Sequence, residues 1–389
     1  MKKFTSLKGK AFLFLLILSS LWFLNFAGRA MFTPVLPLIE DEFRISHARA
    51  SSIFVFQSLG YGVALFFSGF LSGIFGYKKS ILCSLIVSAF VFFCIPFVRV
   101  FSVLYIFSLV IGMATGIYLP AAIPLITGYY EEKVWGKSIA IHDSAAAVGV
   151  FGVPIIALFL LKFFEWRGIF TFLGAVFVLA ALIFYLLFDE LKVGRVSRAA
   201  LGHFIKSKAL WIMSIIWAFA ASTSLGVYYI VPLFLTKELY LDINEANTIF
   251  GISRVGGFFV AISAGFVIGR FSLKKMIASI LIISGGLTIF VAVAGLQFIG
   301  IALFLQASFI YGYFPAGLTA LSRIFDLNVR GIATGFIIGC GVIIGWGVTP
   351  FLLGLSGDLL SFKFGIMMLG IATILSSGLV FLLKEISPR

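Results

Sequence analysis

Charge is the scarcest resource in this chain. Only 11% of its 389 residues are Asp, Glu, Lys or Arg, about half the fraction a soluble domain carries. That shortage excludes a solvated globular enzyme, and the mean hydropathy of +1.16 agrees. Cysteine is nearly absent: Cys83, Cys94 and Cys340 lie far apart, each inside an apolar run. Their spacing suits neither a metal site nor a redox pair, so they read as small hydrophobes. No Gly-rich phosphate loop of the P-loop pattern occurs, and no nucleophile–base pair or metal cluster stands out. Enzymatic chemistry and a bound cofactor are therefore not expected.

Long apolar runs fill the space these absences leave. Apolar residues make up 61% of the chain, and about 20 in succession suffice for a helix to cross a bilayer. Backbone groups in lipid must find partners within their own segment. The runs are continuous rather than alternating, which argues for helices over a β-barrel. Twelve spans are expected, at 11–38, 51–75, 80–98, 102–128, 137–161, 168–188, 210–235, 247–270, 274–294, 300–322, 331–355 and 364–383. The first run is too long for the core of a secretory signal and is kept as a span. Short loops join all spans except DELKVGRVSRAALGHFIKSKA, residues 189–209. The expected organisation is an N-terminal six-helix bundle over 1–188, a cytoplasmic linker over 189–209 and a C-terminal six-helix bundle over 210–389.

The basic residues fix an expected orientation. With both termini cytoplasmic, twenty of the 29 Lys and Arg residues fall in inside segments and seven outside, as the positive-inside rule requires. Membrane topology thus accounts for the net charge of +14. Nucleic acid is not an expected partner, because no soluble face carries a basic patch. Two basic residues remain unplaced, Arg29 and Arg254, both within spans. Of the 15 acidic residues, only Asp143 lies within a span, with His142 beside it.

The two halves repeat. GFLSGIFGYKKSILCSLIVS (69–88) aligns without gaps to GFVIGRFSLKKMIASILIIS (265–284), with ten of 20 positions identical. Weaker matches pair Pro120-Ala121 with Pro315-Ala316, and PLIEDEF (37–43) with PLFLTKEL (232–239). Two related six-helix halves in the same orientation are a build used by secondary transporters. Over essentially its full length the chain resembles the major facilitator superfamily. Gly69-Phe70-Leu71-Ser72-Gly73-Ile74-Phe75-Gly76-Tyr77-Lys78-Lys79 is similar to that family's G-x-L-a-D-r-x-G-r-r signature between its second and third spans. The resemblance implies twelve helices in two pseudo-symmetric bundles, and a gating role for Gly69, Gly73, Gly76, Lys78 and Lys79. Gly73 stands at the family's Asp position, and Gly269 does so in the second copy. The antiporter signature of the fifth span is only hinted at by Gly149, Gly152 and Pro154.

Four polar groups within the spans carry the functional expectation. A charged residue in mid-membrane is costly and by default marks a functional site. Arg29 lies near the middle of the first span, with Asn25 one turn earlier and Gly28 allowing a neighbouring helix to approach. Arg254 lies in GISRVGGFFV, where the repeat places Ser58, so the shared architecture did not dictate its charge. Snorkelling remains the alternative for Arg29, and a structural pair with Asp143 for Arg254. A guanidinium stays charged and offers a planar fork that meets a carboxylate or phosphate with two hydrogen bonds. Two of them, one from each half, suit a single anion. The resemblance points the same way: organophosphate and organic-anion porters carry an arginine at the matching part of span one, and monocarboxylate porters carry one in span eight.

His142 and Asp143 are candidates for proton coupling, because burial and a neighbouring cation move a carboxyl's affinity for protons in opposite directions. A structural ion pair is the alternative, and at most one of these helix neighbours would face a cavity. Tyr118 and Tyr228 are candidate cavity-lining residues, with Tyr229, Tyr311, Tyr313 and Trp346 behind them. Gly112, Gly116, Gly335 and Gly345 suggest close helix crossings. The expected protein is a monomeric secondary transporter of a small organic anion, coupled to a proton. It would sit in a bacterial inner membrane with both termini cytoplasmic. Efflux of amphipathic drugs or lipids is the runner-up, and a transport-inactive receptor on the same fold the third possibility.

Overall fold

The computed structural model describes residues 4–190, 207–267, 271–325 and 327–383. Most of the expected linker, 191–206, lies outside the described residues. The described chain is helical almost throughout, and its helices fall where the apolar runs predict them. Among the described residues, ten segments are long and apolar enough to cross a membrane: Lys10–Phe43, Tyr77–Phe97, Ser102–Tyr129, Lys137–Leu160, Trp166–Leu187, Lys208–Lys237, Leu273–Val293, Leu296–Ile324, Ala333–Leu359 and Phe362–Leu382. The helix Ile53–Phe75 supplies the second span, and the pair Ile243–Ser253 and Val255–Val267 the eighth. The architecture is an all-α membrane fold of twelve transmembrane helices in two pseudo-symmetric six-helix bundles.

Prolines set the kinks. A proline has no N–H to donate, and its ring collides with the carbonyl four residues back. The helix Lys10–Ala30 stops and a new one starts at Phe32, with Pro34 three residues beyond Met31. Ser102–Gly116 gives way at Ile117, three residues before Pro120. Ile299–Ile310 gives way before Tyr313, and Pro315 follows. The first span ran further than its apolar stretch indicated, to Phe43, because the polar segment Glu40-Asp41-Glu42 continues the helix.

Glycine sets the crossings. A Cβ on Gly112 would lie 2.0 Å from the Gln57 carbonyl oxygen, and one on Gly60 would lie 2.1 Å from that of Leu109. One on Gly116 would lie 2.7 Å from the carbonyl oxygen of Tyr61. The second and fourth spans therefore touch backbone to backbone, as small residues permit. Gly345 does the same for the eleventh span, where a Cβ would lie 2.5 Å from Ala221 Cβ. Gly335 faces open space and makes no crossing. Both partners in the Gly345 crossing lie at or beside π-helical turns, Ser222–Gly226 and Val342–Val348.

The chain forms two compact units. The first comprises Met1–Phe32 and Phe56–Ser197, and the second Thr33–Val55 and Arg198–Arg389. The end of the first span and the start of the second thus pack with the C-terminal residues.

Candidate functional site

In the first unit, Arg29 is 3% exposed. Its guanidinium lies 4.3 Å from the centroid of the Tyr61 ring and 5.7 Å from that of Phe26. Gln57 Nε2 donates to the Arg29 carbonyl at 3.3 Å, fixing the backbone beside the kink. Asn25 is buried, and its Nδ2 donates to the Thr115 carbonyl at 3.0 Å. The Thr115 hydroxyl turns back on its own helix, to the Ile111 carbonyl at 2.7 Å. Asn25 therefore ties the first span to the fourth, while its Oδ1 has no hydrogen-bond partner among the described residues.

Tyr118 and His142 belong to an aromatic cluster the sequence did not indicate. The rings of Trp22, Tyr118 and His142 are nearly parallel, with interplanar angles of 8°, 10° and 14° and centroids 5.5–5.9 Å apart. The Tyr118 hydroxyl donates to the Leu18 carbonyl at 2.8 Å and lies 3.2 Å from His142 Nε2. His142 is wholly buried and Asp143 is exposed. The two neighbours do point different ways, and Asp143 is the accessible one. Tyr61 lies within electrostatic reach of both Arg29 and Asp143, which places the three on one part of the first unit.

In the second unit, Arg254 is 2% exposed and stands at the break between Ile243–Ser253 and Val255–Val267. Its guanidinium lies 5.2 Å from the Phe250 ring centroid and 5.5 Å from that of Tyr228. Tyr311 is close enough to feel its charge. Nε and Nη2 of Arg254 have no hydrogen-bond partner among the described residues. Aromatic faces attract a cation but accept no directed hydrogen bond of carboxylate strength. These two donors are therefore chemically unspent.

Sequence reasoning missed Tyr61, Trp22 and Phe250. The repeat held a signal for Tyr61: offset by 196, it matches Gly257. A Cβ on Gly257 would lie 2.7 Å from the Tyr311 ring, so the glycine admits a tyrosine from another span beside Arg254. Each unit thus sets a tyrosine ring against its arginine, Tyr61 at 4.3 Å in the first and Tyr228 at 5.5 Å in the second.

The signature loop is also resolved. Gly69 and Gly73 lie within the helix Ile53–Phe75. Gly76 has φ +87, in the left-handed region that favours glycine. A Cβ there would meet the Glu190 carboxylate at 2.6 Å. That carboxylate accepts the backbone N–H groups of Lys78 and Lys79 at 3.0 and 3.3 Å. Glu190 therefore caps the third span, and the Lys78 ammonium lies 4.8 Å from the Tyr185 ring centroid.

The model of the Major Facilitator Superfamily matches residues 18–235, more than half of the chain. An uncharacterised transporter of Bacillus subtilis, YybO, is 25% identical over 196 residues, 50% of this chain and 45% of the relative. A TsgA homologue of Erwinia tasmaniensis is 26% identical over 223 residues, 56% of each. The chain thus covers about half the length of these curated relatives. Among solved structures, a bacterial homologue of the human lysosomal transporter Spinster, inward-facing and unoccupied, superposes with a TM-score of 0.80. It is 17% identical and covers 95% of both chains.

Proposed function

The chain belongs to the Major Facilitator Superfamily, and from that premise we propose that it is a secondary transporter whose cargo is a small anion. One observation supports the reading above the others. Each unit buries an arginine in a span, and the one in the second unit keeps two N–H donors without an acceptor among the described residues. A carboxylate or phosphate cargo supplies the acceptor and the opposite charge together. Burial against tyrosines keeps water from competing for the fork and lends cation–π support to the bare guanidinium.

The proposed binding residues are Arg29, Asn25 and Tyr118 in the first unit, with Tyr61 against the Arg29 guanidinium, and Arg254 and Tyr228 in the second. Asp143 is the proposed proton carrier, being the exposed member of the pair and within electrostatic range of Tyr61. His142 orients Tyr118. Gly69, Gly73, Gly76, Lys78 and Lys79 act in gating, with Glu190 supplying a carboxylate that the signature's own Asp position lacks. The proposed setting is a plasma membrane with both termini cytoplasmic, and the proposed unit is the monomer.

The test is thermal stabilisation of purified protein against carboxylates, phosphate esters, inorganic anions and lipophilic cations. A ligand that binds only the folded state raises Tm by mass action. The reading expects stabilisation by one anion class, lost in Arg254→Gln. Stabilisation by lipophilic cations alone would favour efflux of amphipathic compounds instead.

A further inference from the structure

The loop between the first and second spans, expected on the outer side, carries an ion cluster that the anion site does not use. Glu40 is 5% exposed although it is an acid near a helix end. Its Oε2 lies 2.8 Å from His47 Nδ1, and its Oε1 lies 3.6 Å from Lys237 Nζ. Lys237 also pairs with Asp41, one repeat length away in sequence. Asp358, at the end of the eleventh span, accepts the backbone N–H groups of His47 and Ala48, each at 2.8 Å. The Phe362 ring lies 4.9 Å from that of His47. Glu238 is occupied by the backbone N–H groups of Phe362 and Lys363. Asn247 Nδ2 adds a bond to the Pro34 carbonyl at 3.2 Å.

These contacts join 33–55 to the seventh, eighth, eleventh and twelfth spans, all within the second unit. The matching helix of the second half, Ile243–Ser253, needs no such help: Asp242 caps it from its own chain position. The first half has a local cap as well, Ser46, whose hydroxyl accepts the Arg49 N–H at 3.3 Å, and adds Asp358 from 310 residues away. With the local cap already in place, the long-range carboxylate fastens the loop to the eleventh span.

We propose that the Glu40–His47 pair is a proton-reading latch: with His47 protonated it holds the 33–55 segment against Lys237 and Asp358, and with His47 neutral it releases that segment. The charges facing His47 are Glu40 and Asp358, opposed by Lys237. The hydrogen bond that His47 donates to Glu40 and the charges of Glu40 and Asp358 raise the His47 pKa above its ordinary 6.5, against the contrary pull of burial and Lys237. The sign follows. The latch is at full strength below about pH 6.5, the histidine value when released, and weakens as the pH rises through the raised value.

The test does not need the cargo. Hydrogen–deuterium exchange of the full chain in lipid nanodiscs reads the amides of 44–52 directly, two of which donate to Asp358. After correction for intrinsic exchange, the wild type should be several-fold more protected at pH 5.5 than at pH 8.0. His47→Gln, which keeps an N–H donor but does not titrate, should abolish that difference. Glu40→Gln should lower protection at pH 5.5, and Asp358→Asn should remove protection at both pH values. Equal wild-type protection at the two pH values, or a pH difference that survives in His47→Gln, overturns the proposal. Protection that behaves as expected in a protein moving no anion would leave the latch standing and remove the cargo reading instead.

Discussion

The guanidinium of Arg29 lies 4.3 Å from the ring centroid of Tyr61, and both residues are buried in the first unit. A charge that would cost several kcal/mol or more in lipid rests here on an aromatic face supplied by the neighbouring span. Tyr61 also lies within electrostatic range of Asp143.

Tyr61 is therefore expected to act through its ring in binding and through its hydroxyl in coupling. Tyr61→Phe should bind the anion nearly as well as wild type but show an altered pH profile of uptake. Tyr61→Ala should weaken binding roughly 2- to 30-fold, since a cation–π contact is worth about 0.5 to 2 kcal/mol. Titration calorimetry and uptake across a pH series check the two parts.

Arg254→Lys should fail almost as fully as Arg254→Gln. Lysine keeps the charge but presents a point rather than a planar fork, and it is more strongly hydrated. Anion-dependent thermal shifts of the two variants, against their unliganded melting temperatures, measure the difference. Recovery of binding in the lysine variant would mean that charge alone suffices.

Gly112→Ala should destabilise the fold by about 1 to 3 kcal/mol, the usual cost of overpacking. The added Cβ would meet the Gln57 carbonyl oxygen at 2.0 Å, and neither backbone can step aside alone. Because Gln57 also donates to the Arg29 carbonyl, anion affinity should fall with stability. Gly335→Ala, where the space is open, is the control and should leave the melting temperature unchanged.

Much of this was legible in the sequence. Apolar runs gave the spans, because a helix in lipid has little choice of length or backbone pairing. Arg29 and Arg254 stood out because charge is so rare here. What touches Arg29 was not legible, since Tyr61 reaches it from another span and helical spacing within one span cannot report that. Glu190 was equally hidden, being 114 residues from Gly76 in sequence. The His47 cluster read only as loop charge, because its partners come from the far half of the chain.

Gly76→Ala and Glu190→Gln probe one feature from two sides. The alanine meets both a left-handed backbone, costing about 1 to 2 kcal/mol, and the carboxylate itself. The glutamine keeps the shape but loses the charge at the helix N-terminus, worth about 0.3 to 1 kcal/mol. Thermal melting should rank Gly76→Ala below Glu190→Gln, and both below wild type.

Uptake of the stabilising anion into proteoliposomes by wild type, Arg29→Gln and Arg254→Gln tests the central claim most directly. Both variants should fold, insert and melt near the wild-type temperature, yet move no anion above empty vesicles. Uptake at the wild-type rate by either variant would contradict the account, because the cargo would then cross without the guanidinium assigned to hold it.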